Sequence, residues 1–318
     1  MKSLLLLFLK GLAMGAANVI PGVSGGTIAL ITGIYERLIH AVKSFDLDAV
    51  KLIFQGKFKD FWEHIDGSFL VAVFLGIGVS LISIAKAFKF LLENETYAVW
   101  LMAFFLGLIA ISIVSVGKTV EKWDAKSIVA LVIGLIAALS IAFLTPASEN
   151  DSLPFLLLCG VIAMCSMILP GLSGSFVLII LGNYKLIMLD AVSELNFTIL
   201  GPVAVGAILG LLAFSRVLSW IFEHHRDVTI SLMTGFIMGS LTIIWPWKNE
   251  LHLMENGVEV MKKGKPVISG YEWYIPDFAA TETWVAIGLI VLGIASVWGM
   301  EKMAERFSNS NAAEVEVQ

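Results

Sequence analysis

Charged residues are scarce in this sequence. Asp, Glu, Lys and Arg together make up 15% of its 318 residues, whereas soluble domains carry about 25%. Hydrophobic residues account for 58% of the chain, and its mean hydropathy is +0.88. This composition argues against a soluble domain. Because long apolar runs are separated by short polar ones, it predicts a polytopic α-helical membrane protein.

Cysteine and histidine are also rare, which limits the chemistry to be expected. The two cysteines, Cys159 and Cys165, lie within one apolar stretch, where packing explains them better than a disulfide. The five histidines do not fall at metal-ligand spacing, so neither a metal nor a cofactor is expected. A formal net charge of −5 gives no indication of a nucleic-acid partner. The sequence contains no nucleotide-binding motif, which argues against direct use of ATP.

One motif is present twice. The segment IPGVSGGTIALITGIY spans residues 20–35 and LPGLSGSFVLIILGNY spans residues 169–184, at a constant offset of 149. Each copy places Pro-Gly-x-Ser-Gly between two apolar stretches that are short for a membrane crossing. This pattern predicts two re-entrant hairpins, at about 4–41 and about 155–187. Because the second hairpin lies mid-chain, we expect the apolar N-terminus to belong to the mature fold rather than to a signal peptide.

Three apolar spans follow each hairpin. The segment SIAKAFKFLLE ending at Glu93 resembles AFSRVLSWIFE ending at Glu223, so the similarity of the two halves continues beyond the hairpins, now at an offset of 130. The sequence therefore predicts repeat 1 over residues 1–145, repeat 2 over residues 153–300 and a cytoplasmic tail over residues 301–318. The predicted spans are 68–91, 97–117, 127–145, 198–222, 228–247 and 283–300.

An odd number of crossings in each repeat requires the second repeat to be inverted. Lysine supports this arrangement, because the predicted cytoplasmic segments 43–67 and 118–126 are rich in it, whereas the predicted outer segments 93–96 and 146–153 contain neither lysine nor arginine. Both termini are then cytoplasmic. The exception to the charge pattern is segment 248–282, which is predicted on the outer side but contains four lysines. The expected fold is an all-α polytopic membrane protein of two inverted-topology repeats, each a re-entrant helical hairpin plus three transmembrane helices. Alternating-access transporters have this architecture.

The two Pro-Gly-x-Ser-Gly loops are the predicted binding site. Broken helices expose backbone N–H groups, which favour an anion such as a phosphate. Glycines let the backbone approach a ligand, and the hydroxyls add hydrogen bonds. Close packing of small residues between helices is the alternative explanation. The predicted headgroup residues in the loops are Pro21, Gly22, Ser24, Gly25, Gly26, Thr27, Pro170, Gly171, Ser173, Gly174 and Ser175.

Polar residues near the hairpins extend this hypothesis. Lys86 and Arg216 hold matching positions late in the span after each hairpin, and they could draw an anionic headgroup from either leaflet. The alternative is that both side chains simply extend their charged groups to the membrane–water interface and bind no ligand. Arg37 is a third candidate cation, and Glu36 and Asn18 are candidates for a gate or for coupling. A solvated helix end is the simpler explanation of Glu36 and Arg37.

Two enzymatic interpretations rest on the same serines. The segment Gly22–Gly26 matches a G-x-S-x-G nucleophile elbow, but the strand–turn–helix context is missing. The shorter pattern G-x-S-G, present in both loops, resembles the serine motif of rhomboid intramembrane proteases. That chemistry needs a base within reach of the serine. All five histidines fall in predicted loops or span ends, so the protease remains the less favoured alternative and no enzyme is expected.

The segments KGLAMGAANVIPGVSGGTIALITGIYERLI, ILPGLSGSFVLIILGNY and MAFFLGLI together resemble a widespread bacterial family. This is the polyprenyl-phosphate translocase family of the PopT type, formerly catalogued as a domain of unknown function. The resemblance covers nearly the whole chain from about Lys10. It implies a multi-pass protein of the bacterial plasma (inner) membrane that returns undecaprenyl phosphate from the outer to the inner leaflet.

The expected mechanism follows from the repeats together with this resemblance. The loops and a nearby cation would hold the phosphate, and rocking of one repeat against the other would expose it to the opposite leaflet while the tail stays in lipid. Protons are a plausible coupling ion, since a phosphate monoester has a second pKa near 6. The main alternative is a transporter or channel for a small soluble anion. That alternative predicts a closed, protein-walled site with no lateral opening to lipid.

Overall fold

The computed structural model of this chain is predominantly helical, as the sequence predicts. It describes residues 2–19, 24–142, 144, 147–191, 194–252, 254–255, 258–259, 261–262, 265–266 and 268–315. The α-helices are α1 (Lys2–Val19), α2 (Gly25–Ile31), α3 (Tyr35–Lys43), α4 (Leu47–Phe54), α5 (Phe58–His64), α6 (Gly67–Glu93), α7 (Glu95–Gly117), α8 (Ala125–Ala142), α9 (Leu153–Ile168), α10 (Gly174–Ile180), α11 (Phe197–Ile244) and α12 (Thr281–Val315).

The first predicted hairpin contains three helices rather than two. The hydroxyl of Ser24 accepts a hydrogen bond of 3.1 Å from the backbone N–H of Gly26, and this bond caps the start of α2. After α2 the chain passes through Gly33, which has a φ of +69°. Glycine adopts this left-handed conformation without steric cost, and it ends the helix there. The second arm of the hairpin is therefore divided into α2 and α3.

The second hairpin repeats these backbone features. α10 starts after Ser173, whose φ and ψ are −110° and 126°, compared with −112° and 130° at Ser24. It is followed by Gly182, which has a φ of +74°. A π-helix, Lys185–Ala191, then stands where α3 stands in the first hairpin. From Ser24 and Ser173 to the glycine the two hairpins thus have similar geometry, and they differ after it.

Helix packing recurs with the same spacing as the sequence similarity. A Cβ atom at Gly11 of α1 would overlap the carbonyl oxygen of Val73 in α6, and a Cβ atom at Gly160 of α9 would overlap that of Val203 in α11. The two glycines are 149 residues apart and the two valines 130 residues apart, which are the offsets of the two halves. Small residues allow this close approach of helices in a membrane. Each hairpin is therefore packed against the span that follows it.

The later helices pair between the two halves of the chain. α7 packs against α12, where Gly107 faces the backbone of Ile290. α8 packs against α11, where Gly235 faces the backbone of Leu131. These exchanged pairs join the halves into one helical body, and the two hairpins lie between them.

α11 is too long for one crossing, since about 20 helical residues span the hydrocarbon core. Its 48 residues are divided at His225, where φ is −142° and ψ is 48°. This break falls between the predicted spans 198–222 and 228–247. Three helices in the described part of the chain are long and apolar enough to cross a membrane, namely Thr96–Gly117, Phe197–Ile244 and Thr281–Gly299. A bent pair, Phe58–His64 with Gly67–Leu81, would add a fourth if it forms one span.

The segment between α11 and α12 contains strands, whereas the sequence analysis treated it as a loop. β1 (Lys248–His252) pairs antiparallel with β6 (Ile268–Trp273). Short pairs between them are formed by β2 (Met254–Glu255), β3 (Val258–Glu259), β4 (Met261–Lys262) and β5 (Lys265–Pro266). An Asn-Gly dipeptide at 256–257 was the available hairpin signal in the sequence. The fold is therefore helical with a small β element, not all-α.

Candidate functional site

The two Pro-Gly-x-Ser-Gly loops meet inside the protein. Thr27 Oγ1 accepts a hydrogen bond of 2.8 Å from the backbone N–H of Gly171. Ser24 Oγ donates to the carbonyl oxygen of Leu169 at 3.3 Å. The exposed fractions of Thr27 and Ser24 are 1% and 3%, so these bonds between the loops are shielded from solvent.

The backbone N–H groups at this meeting point are bonded to side-chain oxygens. Asn18 Oδ1 accepts from Gly25 N at 2.8 Å, and Ser24 Oγ accepts from Gly26 N at 3.1 Å. With the Gly171 N–H bound by Thr27, three glycine N–H groups are thus held by short polar side chains. The same N–H groups can bind the oxygens of an anion once those side chains rotate away.

The loops are packed too closely for larger residues. A Cβ atom at Gly26 would lie 2.6 Å from the carbonyl oxygen of Ile168, and a Cβ atom at Gly174 would lie 2.6 Å from that of Ala163. Gly171 has a φ of +83°, a backbone conformation that glycine adopts more easily than residues with a Cβ atom. The glycines therefore serve close packing, and this observation also fits the alternative explanation of the motif.

The second loop uses its hydroxyls differently from the first. Ser173 Oγ and Ser175 Oγ are 2.8 Å apart and hydrogen-bonded to each other. Ser173 precedes α10, but its side chain makes no cap hydrogen bond. The partners of Ser24, in contrast, are all backbone groups. The hydroxyl of Ser24 is thus engaged as a helix cap, and no base among the residues that the structure describes is hydrogen-bonded to it.

Tyr35 connects the first hairpin to the second loop. Its hydroxyl donates a hydrogen bond of 3.0 Å to the carbonyl oxygen of Ile168, and its ring lies 5.8 Å from that of Phe222. The side chain is 1% exposed. Tyr35 therefore fills the space between α3, α11 and the end of α9.

A cavity of about 180 Å³ lies beside the loops. Asn18, Gly25, Gly26 and Tyr35 form its polar end. The remaining wall is apolar and is contributed by Met14, Leu38, Ile39, Val42, Phe74, Ile77, Met164, Met167, Ile168 and Leu211. The cavity therefore combines a few hydrogen-bonding groups at one end with a hydrocarbon-like wall.

A groove on the outside of the protein adjoins the cavity. This groove has a volume of about 450 Å³, and its lining is entirely apolar. Val42, Phe74 and Leu211 line both the cavity and the groove. The other groove residues are Phe45, Trp62, Ile65, Gly67, Leu70, Val71, Ile208 and Leu212. The groove thus lies beside the cavity, with walls from α6 and α11.

Comparison with known proteins identifies the family. Residues 14–261 match the family described as undecaprenyl phosphate translocase-like. The chain belongs to this family. A protein of Vibrio cholerae named polyprenyl-phosphate transporter is 37% identical over 303 residues, which cover 94% of this chain and 96% of the relative. A protein of Staphylococcus aureus with the same name is 32% identical over 257 residues, covering 75% and 85%. No solved structure matches the chain.

Arg37 and Arg216, two of the cations predicted to bind the headgroup, have partners within the protein. Arg37 forms a two-point ion pair with Asp66, with N···O distances of 2.6 and 3.1 Å, and its guanidinium lies over the ring of Phe69. Arg216 donates to the carbonyl oxygens of Leu212 at 2.7 Å and Phe45 at 3.2 Å. Because Leu212 and Phe45 line the apolar groove, Arg216 stands at the edge of that groove.

Three predicted headgroup residues cannot be placed. Pro21 and Gly22 lie outside the described residues, as does the side chain of Lys86. Pro170, in the second loop, is described and buried. The first loop is therefore characterised from Ser24 onward.

Glu36 has a partner that the sequence analysis did not single out. Arg226 Nε donates to Glu36 Oε1 at 3.3 Å, and Arg226 Nη1 donates to the carbonyl oxygen of Thr119 at 3.1 Å. The predicted gate residue is thus half of an ion pair between the first hairpin and the turn inside α11. Nothing in the sequence distinguishes Arg226 from the other basic residues in short polar segments between apolar spans.

Tyr35 was also missed as a site residue, although the sequence contained a signal. Tyr35 and Tyr184 are identical at the repeat offset of 149, which marked the position as part of the duplicated motif. Its hydrogen bond to Ile168 joins residues 133 positions apart. No local pattern predicts a contact at such a separation.

Proposed function

We propose that this protein transports polyprenyl phosphate, with undecaprenyl phosphate as its substrate, from the outer to the inner leaflet of the bacterial plasma membrane. The observation that carries the proposal is the apolar groove that adjoins the loop cavity and shares three lining residues with it. A lipid with a phosphate head and a long hydrocarbon tail needs both a polar end and a lateral opening. The names of the two relatives support the same substrate class.

The apolar groove favours a lipid over a small soluble anion. A free anion has no use for a groove without polar surface beside its site, whereas the hydrocarbon tail of a lipid can lie in it. The exposed side chains Phe74 and Val71 on α6 and Ile208 on α11 flank that groove. A hydrocarbon tail can lie against such a surface without leaving an apolar environment, and dispersion contacts then hold it there.

The proposed fold is a pair of inverted repeats, over residues 1–145 and 153–300, each a re-entrant hairpin plus three spans. The recurring approach of Gly11 to Val73 and of Gly160 to Val203 supports the duplication. α7 and α8 of the first half pack against α12 and α11 of the second half, respectively. This is the contact pattern expected for interlocked halves. In this arrangement the termini and the turn at His225 are cytoplasmic, and residues 248–282 are on the outer side.

The proposed headgroup site is formed by the two loops. Phosphate oxygens would replace Asn18 Oδ1, Ser24 Oγ and Thr27 Oγ1 as acceptors of the glycine N–H groups. The freed hydroxyls and the Ser173–Ser175 pair would then donate to the remaining oxygens. Pro170 and Gly174 shape the second loop, and Pro21 and Gly22 remain predicted headgroup residues from the sequence alone.

Cations of the protein would balance the charge of the phosphate. In the proposed orientation Arg216, at the edge of the groove, lies toward the cytoplasmic side and would contact the headgroup as it reaches the inner leaflet, with Arg37 and Lys86 as further candidates. Rocking of one repeat against the other would move the head between leaflets while the tail stays in the groove, and proton transfer to the phosphate is the proposed coupling.

Reconstitution in liposomes tests this function directly. A short-chain fluorescent polyprenyl phosphate is added to one leaflet, and its movement is followed by chemical quenching at the opposite one. We expect rapid movement with the wild-type protein and its loss in the Ser24→Ala/Ser173→Ala double variant and in Arg216→Ala. Ser44→Ala is the matched control, because its hydroxyl bonds only to the carbonyl of His40 at a helix end.

The alternatives predict other results in the same liposomes. Uptake of inorganic phosphate without movement of the lipid would support the soluble-anion transporter. Movement of the lipid that is equal in the wild-type protein and both variants would contradict the proposed headgroup site. Size-exclusion profiles of each variant show whether a loss of transport reflects unfolding.

A further inference from the structure

A second pocket lies on the opposite side of Tyr35 from the loop cavity. Its volume is about 330 Å³, within the usual range of small-molecule sites of about 300–1,000 Å³. Tyr35 lines this pocket and the loop cavity alike, so its side chain is the partition between them. The other lining residues are Leu30, Ile31, Gly33, Glu36, Ser115, Val116, Thr119, Arg226 and Ile230.

The side chain of Arg226 provides a cation at the polar end of this pocket, and neighbouring hydrogen bonds hold it in position. Asp227 accepts hydrogen bonds of 3.0 Å from the backbone N–H groups of both Glu121 and Lys122, which fixes the turn after His225 against the end of α7. Arg226, in that turn, donates from Nη1 to the carbonyl of Thr119, which follows the end of α7. Its guanidinium is therefore positioned before any ligand arrives, and such preorganisation lowers the cost of binding.

The present partner of Arg226 is easily displaced. Glu36 accepts from Nε at 3.3 Å, and the two side chains are 49% and 44% exposed. Ion pairs that are this exposed contribute little to stability. The Nη2 group of Arg226 has no hydrogen bond to any residue that the structure describes. A phosphate monoester carries more negative charge than a carboxylate and accepts two parallel hydrogen bonds from a guanidinium.

We propose that this pocket is an inward-facing subsite for the phosphate monoester headgroup, with Arg226 as its cation, Glu36 as the carboxylate that the phosphate displaces, and Tyr35 as the partition from the loop cavity. This inference rests on the proposed function, because it assigns the place that the headgroup occupies after leaving the loops. Ser115 and Thr119 supply hydroxyls beside the cation. Glu36 then returns to Arg226 when the lipid leaves.

Cysteine protection tests the subsite on the whole protein in lipid nanodiscs. Thr119→Cys places a thiol in the pocket, and the Thr119 carbonyl that binds Arg226 is retained. The thiol is labelled with a charged maleimide, and the mass of the labelled peptide is measured, so that Cys159 and Cys165 do not interfere. We expect farnesyl phosphate to slow labelling and farnesol, which lacks the phosphate, to leave it unchanged. Lys118→Cys, on the neighbouring exposed residue outside the pocket, is the control and should not be protected.

The two halves of the ion pair give opposite predictions. Arg226→Gln should raise the concentration of farnesyl phosphate needed for protection about tenfold or more, because it removes a charge-assisted pair of hydrogen bonds. Glu36→Gln should lower that concentration, because it frees Arg226 of its competitor. A purely structural ion pair predicts equal effects of both variants, and that result would overturn the subsite. Ser115→Cys is a second reporter in the same pocket if Thr119→Cys folds poorly.

Failure of this inference is distinguishable from failure of the proposed function. If the wild-type protein moves polyprenyl phosphate across liposomes but farnesyl phosphate protects neither reporter, the subsite is wrong and the transport function stands. If the wild-type protein moves no polyprenyl phosphate, the function itself is wrong. Protection by inorganic phosphate alone, at the same concentration as farnesyl phosphate, would mean that the pocket binds phosphate but not a lipid headgroup, and would also overturn the proposal.

Discussion

The hydroxyl of Thr27 accepts a hydrogen bond of 2.8 Å from the backbone N–H of Gly171. The two residues belong to different halves of the chain and are 144 positions apart. Thr27 is 1% exposed, so the N–H of Gly171 has no access to water as a substitute partner. This bond and the Ser24–Leu169 bond hold the two loops together in the state that the structure represents.

Thr27→Val tests the importance of the bond between the loops. Valine has the shape of threonine but no acceptor, so the Gly171 N–H is left buried and unbonded, which costs about 1–3 kcal/mol. We expect a lower midpoint of thermal unfolding in nanodiscs, and restoration by Thr27→Ser. Thr32→Val is the matched control, because Thr32 Oγ1 bonds within its own hairpin to the carbonyl of Ile28. Equal destabilisation by both valine variants would contradict the prediction.

Gly26→Ala tests the close approach of the first loop to the end of α9. The added methyl carbon would lie 2.6 Å from the carbonyl oxygen of Ile168, well inside contact distance. Overpacking of this kind costs about 1–3 kcal/mol. We expect a reduced yield of monodisperse protein and slower lipid movement in liposomes.

Gly78→Ala provides the comparison for the Gly26 variant. A Cβ atom at Gly78 meets no other atom within 4 Å, and alanine favours a helix over glycine by about 1 kcal/mol. This control should fold as well as the wild-type protein or better. If Gly26→Ala equalled Gly78→Ala in yield and in the rate of lipid movement, the close contact of Gly26 with the Ile168 carbonyl would not be required for folding or transport, and the prediction would be wrong.

The sequence predicted the two hairpins but not the contacts that join them. Proline, glycine and serine at fixed positions act locally, so the breaks at Gly33 and Gly182 follow from residue type. The Tyr35–Ile168 and Arg226–Glu36 contacts depend on how helices far apart in the chain come together, and no periodicity encodes such a pairing. The β1–β6 pair was missed because hydropathy distinguishes apolar spans from polar segments and does not distinguish a strand from a loop.

Leu211→Trp tests the path between the loop cavity and the groove. Leu211 lines both, so a larger side chain there would obstruct their junction. We expect movement of a long-chain polyprenyl phosphate to fall several-fold, and that of a short-chain analogue to fall less. Leu209→Trp is the control, since Leu209 is 57% exposed on another face of the same helix. Equal effects on long and short chains would argue against the groove as the tail path.

Tyr35→Phe tests whether the partition between the two cavities limits the rate of transport. The variant keeps the ring against Phe222 and loses the hydrogen bond to the carbonyl of Ile168. A net contribution of about 0.5–1.5 kcal/mol from such a bond corresponds to a rate increase of about 2- to 12-fold if opening at Tyr35 is limiting. Initial rates in liposomes measure this increase. Tyr184→Phe is the control, because Tyr184 is the counterpart 149 residues later and packs against the separate cluster around Leu156. An unchanged rate in Tyr35→Phe, or an equal increase in both variants, would mean that the substrate passes without displacing Tyr35.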